Sequence, residues 1–152
     1  MRKTVRAFTL IELIIGVSLF LSLLALGWSN ISTLPGKITL NTVSQNLIND
    51  LRNQQSESMN GVNTYGIYIE NTSYTLFKGL IYNPNDSTNL TVRLDDSNLS
   101  LSTMFPNSII VFKSSSGEVN NFDSNNNTIT ITDNLSGSTQ IIKLNKYGTP
   151  IE

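Results

Sequence analysis

The stretch Phe8–Trp28, which reads FTLIELIIGVSLFLSLLALGW, constrains the rest of the chain. It is almost wholly apolar and carries one charge, that of Glu12. Three basic side chains precede it: Arg2, Lys3 and Arg6. As a helix rising about 1.5 Å per residue, the stretch would cover about 30 Å, the thickness of the hydrocarbon core of a bilayer. The sequence therefore predicts a membrane-spanning helix over residues 8–28.

Glu12 is the exception within this stretch. A carboxylate inside a membrane helix costs about 2.5–3.5 kcal/mol on insertion scales and usually has a partner. No cationic residue lies within the apolar run. Glu12 therefore either snorkels to water at the headgroup boundary or meets a partner from outside the segment.

The segment Arg6-Ala7-Phe8-Thr9-Leu10-Ile11-Glu12-Leu13 resembles the processing site of type IV prepilins and of type II secretion pseudopilins. The resemblance implies that prepilin peptidase cuts between Ala7 and Phe8 and methylates the new amino group of Phe8. It also implies that Glu12 pairs with the N-terminal amine of a neighbouring subunit, because two charges that are costly alone become tolerable as a pair. The chain departs from the family pattern at Ala7, where the family normally has Gly.

Length and composition limit the other possible functions. A chain of 152 residues has room for one membrane helix and one domain of roughly 100 residues. It contains no Cys and no His, so disulfides and thiolate metal sites are excluded, and the commonest general base and metal ligand is missing. We therefore expect no enzyme activity, no cofactor and no metal.

The charge is unevenly distributed. The net charge is −1 and the leader, residues 1–7, carries three positive side chains, so the remainder sums to −4. This bias predicts that the leader is cytoplasmic and that the rest of the chain lies across the membrane. Together with the resemblance, it implies a single-pass inner-membrane protein with a periplasmic or extracellular β domain. From Lys37 onward there are seven basic and ten acidic residues, which argues against nucleic acid as a partner because phosphate contacts supply most of that affinity. A DNA-binding minor pilin is the alternative function.

A second helical pattern follows the apolar stretch. Apolar residues recur at steps of three and four and stop at Asn60-Gly61, a typical helix end. The recurring positions are the apolar Leu40, Val43, Leu47, Ile48, Leu51 and Met59, and the polar Gln55 falls on the same pattern. Leu34-Pro35-Gly36 should kink or interrupt the helix. We expect one long N-terminal helix whose first half, residues 8–28, lies in lipid or a filament core. A kink over residues 29–36 would separate it from an amphipathic half within the domain 37–152.

From Val62 onward the apolar period changes to two, which predicts β-strands. The predicted strands cover residues 65–70, 73–78, 90–94, 108–113, 128–132 and 139–144. Short strands that alternate apolar with Thr, Lys or Glu are typical of antiparallel sheets with one face in water. The expected fold class is α+β and pilin-like: a long N-terminal α-helix, membrane-spanning in its first half and amphipathic in its second, packed on antiparallel sheets.

Three segments of this domain resemble H-type (FimT-like) minor pseudopilins and minor pilins. They are the helix end 51–58, the strand and turn 111–119, and the closing hairpin that ends at residues 144–148. The resemblance implies a structural subunit, minor rather than major, of a type IV pilus or a type II secretion pseudopilus. Its implied partners are prepilin peptidase, other pilin or pseudopilin subunits, the inner-membrane assembly platform and membrane lipid.

Two acidic stretches remain as candidate cation sites. Asp95-Asp96 either binds a cation or forms a turn with Ser97 and Asn98, and the turn is favoured. Residues 123–127 have oxygen ligands at alternate positions like the start of a calcium loop, but they lack its Gly, and Asn134 stands where a bidentate Glu is needed. A polar loop between strands is the favoured interpretation there.

Overall fold

The computed structural model describes residues 9–31, 34–94, 98–120 and 122–151, and the side-chain surroundings of all of these except residues 23–31 and 34–39. The chain divides into two compact units, Met1–Pro35 and Gly36–Glu152. The described residues form an α+β structure with two helices and two antiparallel sheets.

The helices are α1 (Leu10–Ile31) and α2 (Leu34–Asn60). The strands are β1 (Tyr65–Ile69), β2 (Ser73–Lys78), β3 (Leu90–Arg93), β4 (Leu99–Thr103), β5 (Ile109–Phe112), β6 (Thr128–Asp133), β7 (Thr139–Leu144) and β8 (Pro150–Ile151), with a short 3₁₀ turn at Pro106–Ser108.

The predicted single long helix with a membrane-spanning half is wrong, and so is the expected pilin-like fold built on it. The structure has two helices in its place, and none of those it describes is long and apolar enough to cross a membrane. The predicted location, a single-pass inner-membrane protein, is therefore also wrong.

Helix α2 begins with Leu34-Pro35-Gly36, so the proline lies in the first turn, where its missing N–H costs no helical hydrogen bond. Further along, its apolar residues follow the predicted period, and Leu40, Leu47 and Leu51 are buried. Asn60-Gly61 marks the end of the helix, as predicted.

The strand order is β3-β2-β1-β5 in sheet 1 and β4-β6-β7-β8 in sheet 2. The strand pairs that the structure describes are all antiparallel. The chain leaves sheet 1 after β3, adds β4 to sheet 2, returns for β5 and then completes sheet 2. The two sheets are thus interlaced along the sequence.

One apolar core joins α2 to both sheets. Ile67 on the inner strand β1 is paired with Ile110 on the outer strand β5 of sheet 1, and Ile131 lies on the inner strand β6 of sheet 2; all three are fully buried. Burial of side chains of this size is worth roughly 1.5–3 kcal/mol each. The second unit therefore has a complete core of its own.

A polar contact ties the helix to sheet 1. The Tyr74 hydroxyl donates a hydrogen bond of 2.6 Å to the Asp50 carboxylate, and Tyr74 is only 1% exposed. Burial raises the pKa of the Tyr74 hydroxyl far above its ordinary value, and the negative charge of Asp50 raises it further. The hydroxyl stays protonated and continues to donate at any ordinary pH.

Candidate functional site

Glu12 lies in the first turn of α1 and is exposed. The helix begins with hydrogen bonds from the N–H groups of Glu12 and Leu13 to the Thr9 carbonyl, at 3.1 and 3.2 Å. A carboxylate in a first turn interacts favourably with the helix dipole, by about 0.3–1 kcal/mol at exposed sites. The predicted cleavage position, Ala7 and Phe8, lies outside the described residues.

The rest of the described part of α1 forms an apolar surface, which we call the α1 surface (residues 10–22). Its large side chains are 50–78% exposed: Leu10, Ile11, Leu13, Ile14, Ile15, Val17, Leu19, Phe20 and Leu21. The hydroxyls of Ser18 and Ser22 bond to carbonyls one turn back on the same helix, at 2.9 and 2.8 Å. An exposed apolar surface of this kind marks an interaction site.

The three segments that carry the H-type resemblance meet at the carboxyl end of α2. The Gln55 amide donates to the Gly117 carbonyl at 3.1 Å and to the Tyr147 carbonyl. The first acceptor lies in the turn after β5, and the second follows β7. Gly148 has a φ of +73°, and a Cβ there would lie 2.5 Å from the Phe112 ring, so only glycine fits this position.

Charged side chains surround this junction. Glu118 forms ion pairs with Lys146 at 3.2 Å and Lys113 at 3.6 Å. The Lys146 ammonium also lies 5.9 Å from the centre of the Tyr147 ring. Exposed pairs of this kind contribute little to stability. Their consequence is electrostatic, because the single carboxylate offsets half of the positive charge of the two lysines.

The structure separates the parts of the proposed calcium loop. Asp123 lies before β6 and Asn134 lies after it, so the length of a six-residue strand, roughly 20 Å, separates them. The Asp123 carboxylate accepts hydrogen bonds from the Asn125 N–H at 2.9 Å and the Asn126 amide at 2.6 Å. These bonds hold the pKa of Asp123 below its ordinary value and close a local turn.

The second candidate cation site, Asp95-Asp96, lies outside the described residues. Among the residues that are described, no three Asp or Glu side chains come together in a way that could hold a metal ion.

A similar turn contains a carboxylate that the sequence did not identify. Asp133 is 2% exposed and ends β6, where it accepts hydrogen bonds from the Ser136 hydroxyl at 2.7 Å and the Leu135 N–H at 2.9 Å. The Ser136 hydroxyl contributes most to lowering its pKa below the ordinary value. The sequence feature that could have identified Asp133 is its position in an Asp-x-x-Ser turn directly after the alternating pattern of β6.

Comparison of the chain with models of protein families, with curated proteins and with solved structures finds no match.

Proposed function

We propose that the protein is a minor structural subunit of a type IV pilus or a type II secretion pseudopilus. In this proposal prepilin peptidase cuts the chain between Ala7 and Phe8, Phe8 is methylated, and α1 joins the subunit to its neighbours. The observation that supports it is the α1 surface, an exposed apolar helix with one carboxylate, on a unit distinct from a domain that already has its own core. Association of that surface with similar helices would remove it from water.

In such an assembly Glu12 fixes the axial position of each α1 helix relative to its neighbour. An apolar surface attracts another without fixing how far one helix slides along its neighbour. A single carboxylate among packed apolar helices is tolerated only where a positive group meets it, so the N-terminal amine of the next subunit would set the axial position. The role is structural, and no catalytic residue is proposed.

The processing step is tested by mass spectrometry of the N-terminus after expression in cells that have a pilus or pseudopilus machinery. The expected terminus is methylated Phe8. A chain that incorporates into filaments with its leader intact contradicts the processing proposal.

The assembly step is tested by the yield of the protein in sheared filaments. We expect Glu12→Ala to abolish incorporation. The matched control is Ser18→Ala, since the Ser18 hydroxyl is exposed on the same helix and donates to the Ile15 carbonyl one turn back. Equal filament yield from the two variants contradicts the role proposed for Glu12.

The DNA-binding alternative gains no support from the described surface. Glu118 offsets the charge of Lys146, one of the two lysines that cluster near the end of the sequence. A gel shift with the full chain at physiological salt would favour this alternative only if a complex forms.

A further inference from the structure

Sheet 1 buries apolar side chains on both of its faces. Opposite residues of an antiparallel pair share a face, so Gly66, Phe77 and Val111 form one row across the sheet. Successive side chains alternate between faces, so this row lies on the side away from Ile67 and the core. Phe77 and Val111 are nevertheless only 3% and 5% exposed. Another part of the chain therefore covers the second face.

The cover is the connection between β2 and β3, residues 79–89, which we call the β2–β3 loop. The ring of Tyr82 stacks on that of Tyr68, with centroids 4.2 Å apart and planes 19° apart, and meets the Phe77 ring edge-on at 5.5 Å. Leu80 and Ile81, by contrast, are 60% and 81% exposed. One part of the loop is thus packed on the sheet, while its two aliphatic side chains remain in water.

A cavity of about 360 Å³, which we call the outer cavity, lies beside these two side chains. Its apolar lining comes from the β2–β3 loop, from β5 and from the turn before β5, and includes Leu80, Ile81, Phe105, Ile109 and Val111. Small-molecule sites in proteins have volumes of about 300–1,000 Å³. Because an apolar cavity of about 150 Å³ can take up benzene, the outer cavity has room for two fused rings with a substituent.

Two carboxamides supply the polar part of the lining, those of the exposed Asn107 and the half-buried Asn120. In the part of the chain that the structure describes, neither side chain forms a hydrogen bond, and none of the side chains that line the cavity is charged. A carboxamide both donates and accepts, so it can pair with a neutral hydroxyl, carbonyl or amide. A charged ligand would lose its hydration here without meeting an opposite charge. The lining therefore favours an uncharged molecule.

We propose that the outer cavity binds a small, uncharged, mainly apolar ring compound that carries one hydrogen-bonding group. The rings would pack between the β2–β3 loop and β5, and the polar group would meet Asn107 or Asn120. Removal of Leu80 and Ile81 from water favours this binding. A polypeptide segment fits less well, because each of its residues brings an N–H and a C=O that need partners, and the lining side chains offer only two carboxamides.

This inference does not depend on the function proposed above, since it uses only residues of the second unit.

The test uses the full chain and 2-naphthol, which has two fused rings and one hydroxyl, followed by NMR of the side-chain methyl groups. The methyls of Ile109 and Val111 should shift in a saturable manner, and the methyls of Ile14 report any adsorption to the α1 surface. Naphthalene-2-sulfonate, with the same rings and a negative charge, should bind at least about tenfold more weakly. Absence of shifts at Ile109 and Val111 with millimolar 2-naphthol overturns the proposal, and so does equal binding of the sulfonate.

A charge at the mouth of the cavity tests its location. Leu80→Asp changes an exposed side chain and should weaken the binding of 2-naphthol at least about tenfold. The matched control is Leu135→Asp, because Leu135 is 78% exposed in the turn between β6 and β7, and this variant should bind as the parent does. Equal binding by Leu80→Asp and the parent overturns the proposal.

A double variant, Asn107→Gly with Asn120→Ala, tests the polar contact. Asn107 has a φ of +55°, which glycine adopts without strain, so the first substitution removes only the carboxamide. The double variant should bind 2-naphthol several-fold more weakly and should bind 2-methylnaphthalene, which has no hydrogen-bonding group, as the parent does. Unchanged binding of 2-naphthol overturns the polar contact. Shifts at Ile109 and Val111 that grow with protein concentration without a probe overturn the whole proposal, because the occupant is then a second copy of the chain.

Discussion

Gln55 is the residue on which the junction at the end of α2 depends. Its amide is shared between two carbonyls that lie 62 and 92 residues away in sequence. A helix pattern can place a glutamine on the inner face, as it does here, but it cannot identify acceptors at that separation.

Replacing Gln55 by alanine should therefore destabilise the fold. The part-buried Gly117 carbonyl and the exposed Tyr147 carbonyl both lose their donor, and water can replace it at the exposed site, so we expect a cost of about 1 kcal/mol. Urea denaturation of the full chain measures the change. Asn53→Ala, at an exposed position two residues earlier in the same helix, is the control, and its free energy of unfolding should stay within about 0.5 kcal/mol of the parent. If the two substitutions change the free energy of unfolding equally, the Gln55 amide does not contribute to stability.

Tyr74 gives a prediction for alkaline pH. Its pKa is raised in the folded protein and is 10.0 in the absence of perturbation, so the folded state keeps a proton that the unfolded state releases. Its contribution to stability is fully present below pH 10 and is lost as pH rises beyond it. In an ultraviolet titration, one of the five tyrosines should ionise only when the protein unfolds. Five tyrosines that titrate together near pH 10 in the folded protein would contradict this.

At the scale of elements, the turn between β6 and β7 depends on Asp133. Its folded pKa lies below the unperturbed 3.8, so its contribution is present above pH 3.8 and is lost as pH falls through the lower folded value. Asp133→Ala should lower the urea midpoint at pH 7, and the difference from the parent should shrink below pH 3.8. Asp133→Asn keeps one acceptor oxygen, so its urea midpoint at pH 7 should lie between those of the parent and Asp133→Ala. A difference that is independent of pH would contradict the role of the charge.

The strands show which sequence patterns are sufficient to predict a strand and which are not. The alternation in β6, where every second residue is buried, predicts a strand and its buried face correctly. By contrast β4 alternates leucine with serine, a common turn residue, and β8 has two residues and begins with proline. Those two strands exist because partners elsewhere in the chain pair with them, and local sequence does not encode the partners.

The helices show a different error, in which a clear sequence pattern led to the wrong structural conclusion. The apolar run 8–28 predicted one continuous helix that crosses a membrane, because its length and composition met that criterion. The structure ends α1 at Ile31, starts α2 at Leu34 and contains no described helix that meets the membrane criterion. Hydropathy located the apolar segment and misjudged its role.

At the scale of the molecule, the division at Pro35 and Gly36 predicts that the second unit can stand alone. Both sheets and the residues of the apolar core lie within Gly36–Glu152. A fragment of these residues should unfold in one cooperative transition, with the far-ultraviolet circular dichroism of a mixed α and β protein. Leu51→Ala in the fragment should cost about 2–5 kcal/mol, because Leu51 is fully buried in that core. A fragment without a cooperative transition would show that the first unit is needed for folding.

The interlaced order of the two sheets has a consequence during synthesis. A nascent chain can close the β1–β2 hairpin as soon as Lys78 leaves the ribosome, but sheet 1 waits for β5 at Ile109–Phe112. By then β4 has emerged without its partner, since β6 begins only at Thr128. The leucines of β4 remain uncovered over that interval, which makes it the period when a chaperone or a premature contact would act on the growing polypeptide.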